Sequence, residues 1–198
     1  MRSKPRAHTA PASKQLRRNA KPANWKHSRS TAPTTGPTTL NRELALSMRS
    51  ELFQRLQLID WSNYETAYGP AVNVPKQLSQ LLSHDRKERL SASHLLWCGL
   101  CHQHANISSA ALPAWPYIFE AFSSADDQLM AEILDIVWGF VQHTGHREFA
   151  CDKHGHWHFE LRQQIRQDMA PYAALVDHKH SHIARFSTLI FDDLRSRP

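Results

Sequence analysis

The sequence contains few glycines, few cysteines and no long apolar run. With six glycines among 198 residues and none in a phosphate-binding pattern, a Gly-rich nucleotide loop is excluded. No stretch approaches the ~18 apolar residues of a membrane span, and the start lacks the apolar core of a secretory signal. Together with only three cysteines, these absences predict a cytoplasmic protein without disulfide bonds and without a membrane partner.

Acidic residues are absent from residues 1–40, which carry nine Lys or Arg side chains. The rest of the chain holds the other fifteen basic residues and all eighteen acidic ones, a formal charge of −3. Because Pro, Ser, Thr and Ala dominate the first segment, it cannot bury enough apolar surface to offset the entropy of ordering. We predict a disordered basic tail at 1–40 and a folded domain at 41–198. A targeting segment, or a start codon assigned too far upstream, would have a similar composition.

From Asn41 onward, apolar residues recur at helical spacing. The predicted helices begin after Asn41, at Ser62, at Pro75, after Asp85, at or near Pro113 or Pro116, after Ser124, at Trp157 and at Ser181. The second ends at Gly69–Pro70, the fourth spans Arg86–Cys101, and Pro171 kinks or shortens the seventh. Residues 144–156 are polar and predict a loop. No stretch alternates with period two, so we predict no sheet.

These helices predict an all-α fold built from antiparallel pairs. The pairs would be 75–83 with 86–101, 113–123 with 125–142, and 157–175 with 181–194, joined by short polar links. Their spacing lies within the ~40-residue range of HEAT-type repeats, so a short α-solenoid is one interpretation. An irregular helical bundle is the other.

The segment WCGLCH at residues 97–102 has the spacing of a thioredoxin active site and also that of a c-type haem attachment site. A thioredoxin site needs a buried strand before the first cysteine, whereas charged, helix-forming residues precede Cys98. Haem attachment takes place in an exported compartment, and no export signal is present. On a helix, Trp97 and Cys101 share the apolar stripe of Leu90, with Cys98 at its border. We therefore interpret both cysteines as structural residues facing the interior, and we expect no cofactor.

Fourteen histidines make a metal site the main alternative. Cys98 with Cys101, and Cys151 with His154, have zinc-ligand spacing, so these four could hold one zinc ion. The pairs are about fifty residues apart and lack a knuckle glycine pattern, so this is a secondary hypothesis. The other polar clusters are interpreted as structural: a solvated loop at His178, His180 and His182, helix capping in residues 124–127, and a solvated face at Asp192 and Asp193. No catalytic residue is predicted.

Between Trp61 and Phe119 the sequence resembles bacterial HEAT-repeat proteins related to the phycobilisome-lyase-like repeats. The matching residues are Trp61, Ala67, Tyr68, Gly69, Ala71, Val74, Pro75, Leu78, Leu82, Arg89, Leu95, His102, Gln103, Pro113, Pro116, Ile118 and Phe119. The chain departs from the pattern at His104, where the family often has Gly, and at Ile107, where an aromatic residue is usual. The resemblance implies an α-solenoid and no reaction.

Within that pattern, Trp61 and Tyr68 would cover the exposed end of the first helix pair. Gly69 would supply a left-handed turn and Pro75 a helix start, while His102 and Gln103 would satisfy free carbonyls at a helix end. The leading hypothesis for function is a non-enzymatic helical repeat module that binds a protein partner, in a scaffold, regulatory or toxin-neutralising role. Nucleic-acid binding through the basic tail and a zinc-dependent role for the Cys/His clusters are the alternatives.

Overall fold

The structure, a computed structural model, describes residues 50–146 and 157–197 and not the side chain of Gln103. The predicted tail at 1–40, the start of the helix after Asn41, and most of the predicted loop at 144–156 lie outside the described residues. Within them the fold is all-α, as predicted. The helices are α1 (50–57), α2 (Val74–Leu81), α3 (Arg86–Cys101), α4 (Ala111–Ser123), α5 (Asp127–Thr144), α6 (Trp157–Gln167), α7 (Ala170–Ala174) and α8 (Ser181–Ser196).

Helix α5 lies at the centre of the packing, in contact with α3, α4, α6 and α8. Its buried side chains lie on one broad face: Leu129, Ile133, Leu134, Ile136, Val137, Phe140 and Val141. A wide apolar stripe of this kind faces the core, and the neighbouring helices cover it, while Glu132 on the other side of α5 is exposed. Helix α2 also packs on α3, and α7 packs on α8. Over the described residues, no helix combines the length and hydropathy of a membrane span.

The segment between α1 and α2 differs from the prediction. Instead of a helix from Ser62, the chain forms a 3₁₀ turn at Trp61–Asn63 and a two-stranded antiparallel hairpin of β1 (Glu65–Thr66) and β2 (Gly69–Pro70). The side chain of Asp60 accepts hydrogen bonds from the backbone and the hydroxyl of Ser62, so Asp60 organises the turn. Strands of two residues are too short to produce a period-two pattern, which is why the prediction of no sheet was wrong here. Gly69 has φ +111°, the positive angle expected of it.

Two helix starts were predicted correctly from capping residues. Asp85 accepts hydrogen bonds from the backbone N–H groups of Lys87 and Glu88, and α3 has the predicted bounds Arg86–Cys101. Pro75 lies in the first turn of α2, where its missing N–H costs nothing. Pro171 shortens the seventh predicted helix as expected, because α6 ends at Gln167 and Pro171 lies in the first turn of α7.

Two other starts lie close to the predicted residues but not at them. Helix α4 begins at Ala111, so that Pro113 lies in its first turn and Pro116 lies inside it. Helix α5 is capped by Asp126, whose Oδ1 accepts a hydrogen bond from Leu129 N at 2.9 Å. Ser124, the predicted cap, instead ends α4, and its backbone N–H donates to Ala121 O. Both residues are good caps by type, and Asp126 is the one that accepts a hydrogen bond from the first turn of α5.

Candidate functional site

A groove of about 580 Å³ lies between α1, the turn that follows α1, α4 and α6. Helix α4 contributes its floor: Leu112, Pro113, Pro116, Tyr117 and Glu120. One wall comes from α1 and the following turn, with Arg55, Leu58, Ile59 and Tyr64; the other comes from α6, with Glu160 and Gln164. The lining is mainly apolar and aromatic, with a few charged groups at the rim, which is the composition of a ligand-binding cleft.

The α1 wall is held in place by apolar residues at the helical spacing that was predicted from Asn41 onward. Leu52 and Leu56, four residues apart, are buried against the core. Trp61 is buried as well, and its Nε1 donates a hydrogen bond of 2.9 Å to the carbonyl oxygen of Leu56, which satisfies one free carbonyl at the end of α1. With these residues turned inward, Leu58 remains 86% exposed at the rim of the groove and Phe53 remains 57% exposed on α1.

Arg55 and Glu120 form an ion pair across the groove, with Nη2 of Arg55 2.5 Å from Oε2 of Glu120. The guanidinium also lies over the ring of Tyr117, 5.1 Å from its centroid. The hydrogen bond to Glu120 raises the pKa of Arg55 above its ordinary value. Both charged side chains are a little under half exposed, so water screens the pair and its net contribution to stability is small.

Glu160 differs from Glu120 because it forms no ion pair with any residue in 50–146 or 157–197. It is exposed, on the α6 wall, and the one lysine or arginine that lines the groove with it, Arg55, is already engaged by Glu120. The groove therefore carries two carboxylates and one guanidinium, a net formal charge of −1.

Pro116 removes one backbone hydrogen bond from the part of α4 that lines the groove. A carbonyl inside an α-helix normally accepts from the N–H four residues later, and proline has no N–H. The carbonyl of Leu112 therefore lacks its helical donor, and both Leu112 and Pro116 line the groove.

Three residues of the family-like pattern, Tyr68, His102 and Gln103, lie near the C-terminal end of α3. Tyr68 is 69% exposed, and its ring meets the edge of the His102 ring at 5.8 Å, whereas Trp61 is buried. His102 ends α3 with a left-handed φ of +35°, and Nδ1 of its ring is buried without a hydrogen-bond partner within the described residues. The prediction that the His102 side chain satisfies a helix carbonyl was therefore wrong. Gln103 lies in a 3₁₀ turn, His102–His104.

Other histidines satisfy the backbone at this turn. His104, with φ +63°, has its Nε2 3.0 Å from the carbonyl oxygen of Asp135 and 3.2 Å from Oδ1 of the same residue. His143 donates from Nε2 to the carbonyl oxygen of His104 at 2.9 Å. Burial raises the pKa of Asp135, while His104, Arg185 and His182 oppose that effect. His104 is thus hydrogen-bonded to α5 through both its side chain and its backbone, and these bonds help to hold the turn with His102 and His104 in left-handed backbone conformations.

Cys101 is fully buried, as predicted. Its thiol donates to the carbonyl oxygen of Trp97 at 3.2 Å, and burial raises its pKa to about 12. Cys98 is only half-buried, with Sγ 3.7 Å from Nε2 of His94, so the prediction of an inward-facing thiol is correct for Cys101 alone. The residues before Cys98 are helical, which is inconsistent with the strand that a thioredoxin site requires.

The zinc hypothesis concerned Cys98, Cys101, Cys151 and His154. The last two lie outside the described residues, so the four-residue site stays a prediction. In the part of the chain that the structure does describe, no three His, Cys, Asp or Glu side chains are grouped so as to hold a metal ion.

Asp193 is not on a solvated face. It is 7% exposed and pairs with Arg162, which is 1% exposed, while its neighbour Asp192 is exposed as predicted. In the predicted solvated loop, His182 is exposed and His178 and His180 are half-buried. His178 lies 3.9 Å from Asp127, so this loop contacts the start of α5.

The groove itself was not predicted. Its charged residues are far apart in the sequence; Glu120 follows Arg55 by 65 positions. The one signal that could have indicated it is the pair of prolines in an apolar helix, because Pro116 inside a helix leaves an acceptor without a donor. Comparisons with protein-family models, with curated proteins and with solved structures found no match.

Proposed function

We propose that the chain is a non-enzymatic module of HEAT-like helix pairs that binds a segment of a partner protein. The observation that carries this proposal is the groove over α4, with its apolar and aromatic floor and charged rim. Its volume lies in the range of about 300–1,000 Å³ that accommodates ligand groups, and its mouth is open to solvent. Grooves of this kind hold apolar side chains of helical or extended peptide segments.

Two further features support a protein partner. Leu58, in the turn after α1, and Phe53, on α1, expose more than half of their surface, and such side chains become the core of an interface when a partner covers them. Tyr64 and Tyr117 add rings with polar tips, a residue type that is enriched at interfaces.

The alternatives are supported less well. The described residues include eleven Lys or Arg and fifteen Asp or Glu, a charge that repels nucleic acid. Nucleic-acid binding would therefore depend on residues 1–40, which lie outside the described part, and it stays a prediction. The zinc-dependent role likewise depends on Cys151 and His154.

The test is affinity capture from cell lysate with a variant that fills the groove. Gln164→Trp places an indole on the α6 wall, and Gln167→Trp places the same group on the exposed end of α6, outside the lining residues. We expect at least one protein to be retained by the wild type and Gln167→Trp and lost with Gln164→Trp, by quantitative mass spectrometry. If every retained protein binds all three forms equally, the groove is not the binding site and the proposal is wrong.

A further inference from the structure

We infer that the segment bound in the groove carries a cationic side chain, arginine or lysine, that pairs with Glu160 while its apolar neighbours cover the α4 floor. This inference rests on the proposed function and names the chemistry of the partner.

The first argument is charge. Glu120 is neutralised by Arg55, at 2.5 Å, whereas Glu160 has no cationic partner in the described part of the chain. The groove with its own ion pair formed therefore still presents one negative charge, at the α6 wall. A cationic side chain would pair with that carboxylate, while an acidic side chain would be repelled by it.

The second argument is the balance of donors and acceptors. Glu160 offers two carboxylate oxygens, and the carbonyl of Leu112 lacks its helical donor because Pro116 follows four residues later. An acceptor that gains no partner on binding is costly when it is covered. A ligand rich in N–H groups removes that cost. Guanidinium and ammonium groups supply five and three N–H donors and no acceptor.

The third argument comes from Arg55. Its guanidinium already contacts the ring of Tyr117 and the carboxylate of Glu120, so this groove accommodates a guanidinium between an aromatic face and a carboxylate. With that ring and that carboxylate occupied, Glu160 remains as the acceptor on the opposite wall. The expected ligand thus has apolar side chains over Leu112 and Pro113 and a basic side chain directed to α6.

The experiment uses the full chain, immobilised, and a phage-displayed library of random nonapeptides. Peptides are retained for scoring only if Gln164→Trp abolishes their binding and Gln167→Trp does not. Among these groove-dependent peptides, we expect enrichment of Arg or Lys next to apolar residues, and we expect the Glu160→Arg variant to select Asp or Glu at that position instead.

Affinity measurements on the selected peptides sharpen the test. Glu160→Gln should weaken binding about 2- to 5-fold, the range for a partly solvated ion pair. Glu132→Gln is the matched control, since Glu132 is exposed on α5 and does not line the groove; it should leave affinity unchanged. Rising salt should weaken binding to the wild type more than to Glu160→Gln.

The outcomes separate the two proposals. Groove-dependent peptides without a preference for Arg or Lys, or with affinities indifferent to Glu160→Gln, would overturn the inference and leave the proposed function standing. Failure to recover any groove-dependent peptide would count against the proposed function itself. Selection of basic peptides by Glu160→Arg as strongly as by the wild type would also overturn the inference.

Discussion

Nη2 of Arg162, on α6, lies 2.9 Å from Oδ1 of Asp193, on α8, and both side chains are buried. The same guanidinium donates to the carbonyl oxygens of Val141 at the end of α5, Asp193, and Arg197 just beyond α8. Arg162 thus connects α6 to the C-terminal ends of α5 and α8. Burial lowers the pKa of Arg162, and the hydrogen bond to Asp193 opposes that effect.

Breaking this pair should be strongly destabilising. Asp193→Ala leaves a buried guanidinium without its carboxylate, and removal of one partner from a buried pair costs about 3–5 kcal/mol. The measurement is the free energy of unfolding from urea denaturation. Asp192→Ala is the control, because Asp192 is exposed on the same turn of α8, and its effect should stay within about 0.5 kcal/mol. Equal effects of the two variants would show that Asp193 is solvated after all.

Two helical glycines should respond oppositely to alanine. A Cβ at Gly139 would lie 2.9 Å from Cβ of Cys101 and 3.0 Å from Cδ2 of His104, so α3 and α5 would have to separate. At Gly99 the nearest atom to a Cβ is Cβ of Thr66, at an ordinary 3.8 Å. Gly139→Ala should lose about 1–3 kcal/mol through overpacking, while Gly99→Ala should gain about 0.5–1 kcal/mol from helix propensity. Thermal and urea unfolding of both variants check the sign. A stabilised Gly139→Ala would contradict the close approach of the helices.

The two thiols of CGLC should differ in reactivity. Iodoacetamide at pH 8 should label Cys98 in the folded protein and leave Cys101 unmodified. Cys101 is buried, and burial also raises its pKa to about 12. Peptide mass mapping after a short pulse distinguishes the two sites, and labelling in urea supplies the control in which both react. Equal labelling rates in the folded protein would contradict the buried position of Cys101.

The raised pKa of Cys101 also predicts a pH dependence of stability. The folded state holds this proton more tightly than the unfolded state, so the contribution of Cys101 is complete below pH 9.0, the ordinary value, and declines as pH rises toward about 12. At pH 10, above the ordinary value, the expected loss is on the order of 1 kcal/mol. Since other groups titrate in this range, the quantity to measure is the difference in unfolding free energy between the wild type and Cys101→Ala. A difference that is constant from pH 8 to pH 10 would refute the assignment.

The cap of α5 offers a direct test between Asp126 and Ser124. Asp126→Ala removes the acceptor for Leu129 N and should cost about 1 kcal/mol, within the range measured for N-caps. Ser124→Ala removes an exposed hydroxyl that donates to the carbonyl oxygen of Ala121 and accepts from Arg89, both at 3.3 Å, so it should cost less than Asp126→Ala, about 0.5 kcal/mol. The hydrogen bond from Leu129 lowers the pKa of Asp126, so its stabilising effect persists above the ordinary carboxyl pKa and disappears as pH falls through the lowered one. A larger loss for Ser124→Ala would restore the original prediction.

Features that depend on one or two helical turns were predictable from the sequence. The cap at Asp85, the bounds of α3, the break near Pro171 and the positive φ of Gly69 each follow from side-chain and backbone chemistry within a few residues. The prediction of which residues form the centre of the apolar face of α3 was less accurate. Leu96 and Leu100 are fully buried, whereas Leu90 and Trp97, in the predicted stripe, are half-buried, because α3 is covered by both α2 and α5.

What the sequence by itself determined is therefore the all-α character, the ends of several helices and the burial of Cys101. Only the tertiary structure decided that Asp193 is buried, since its partner Arg162 lies 31 positions away on another helix. It also decided the groove, where Arg55, Glu120 and Glu160 meet from three helices. The physical reason is that helix propensity and capping act between near neighbours in the chain. The environment of a charge, by contrast, depends on every element that packs around it.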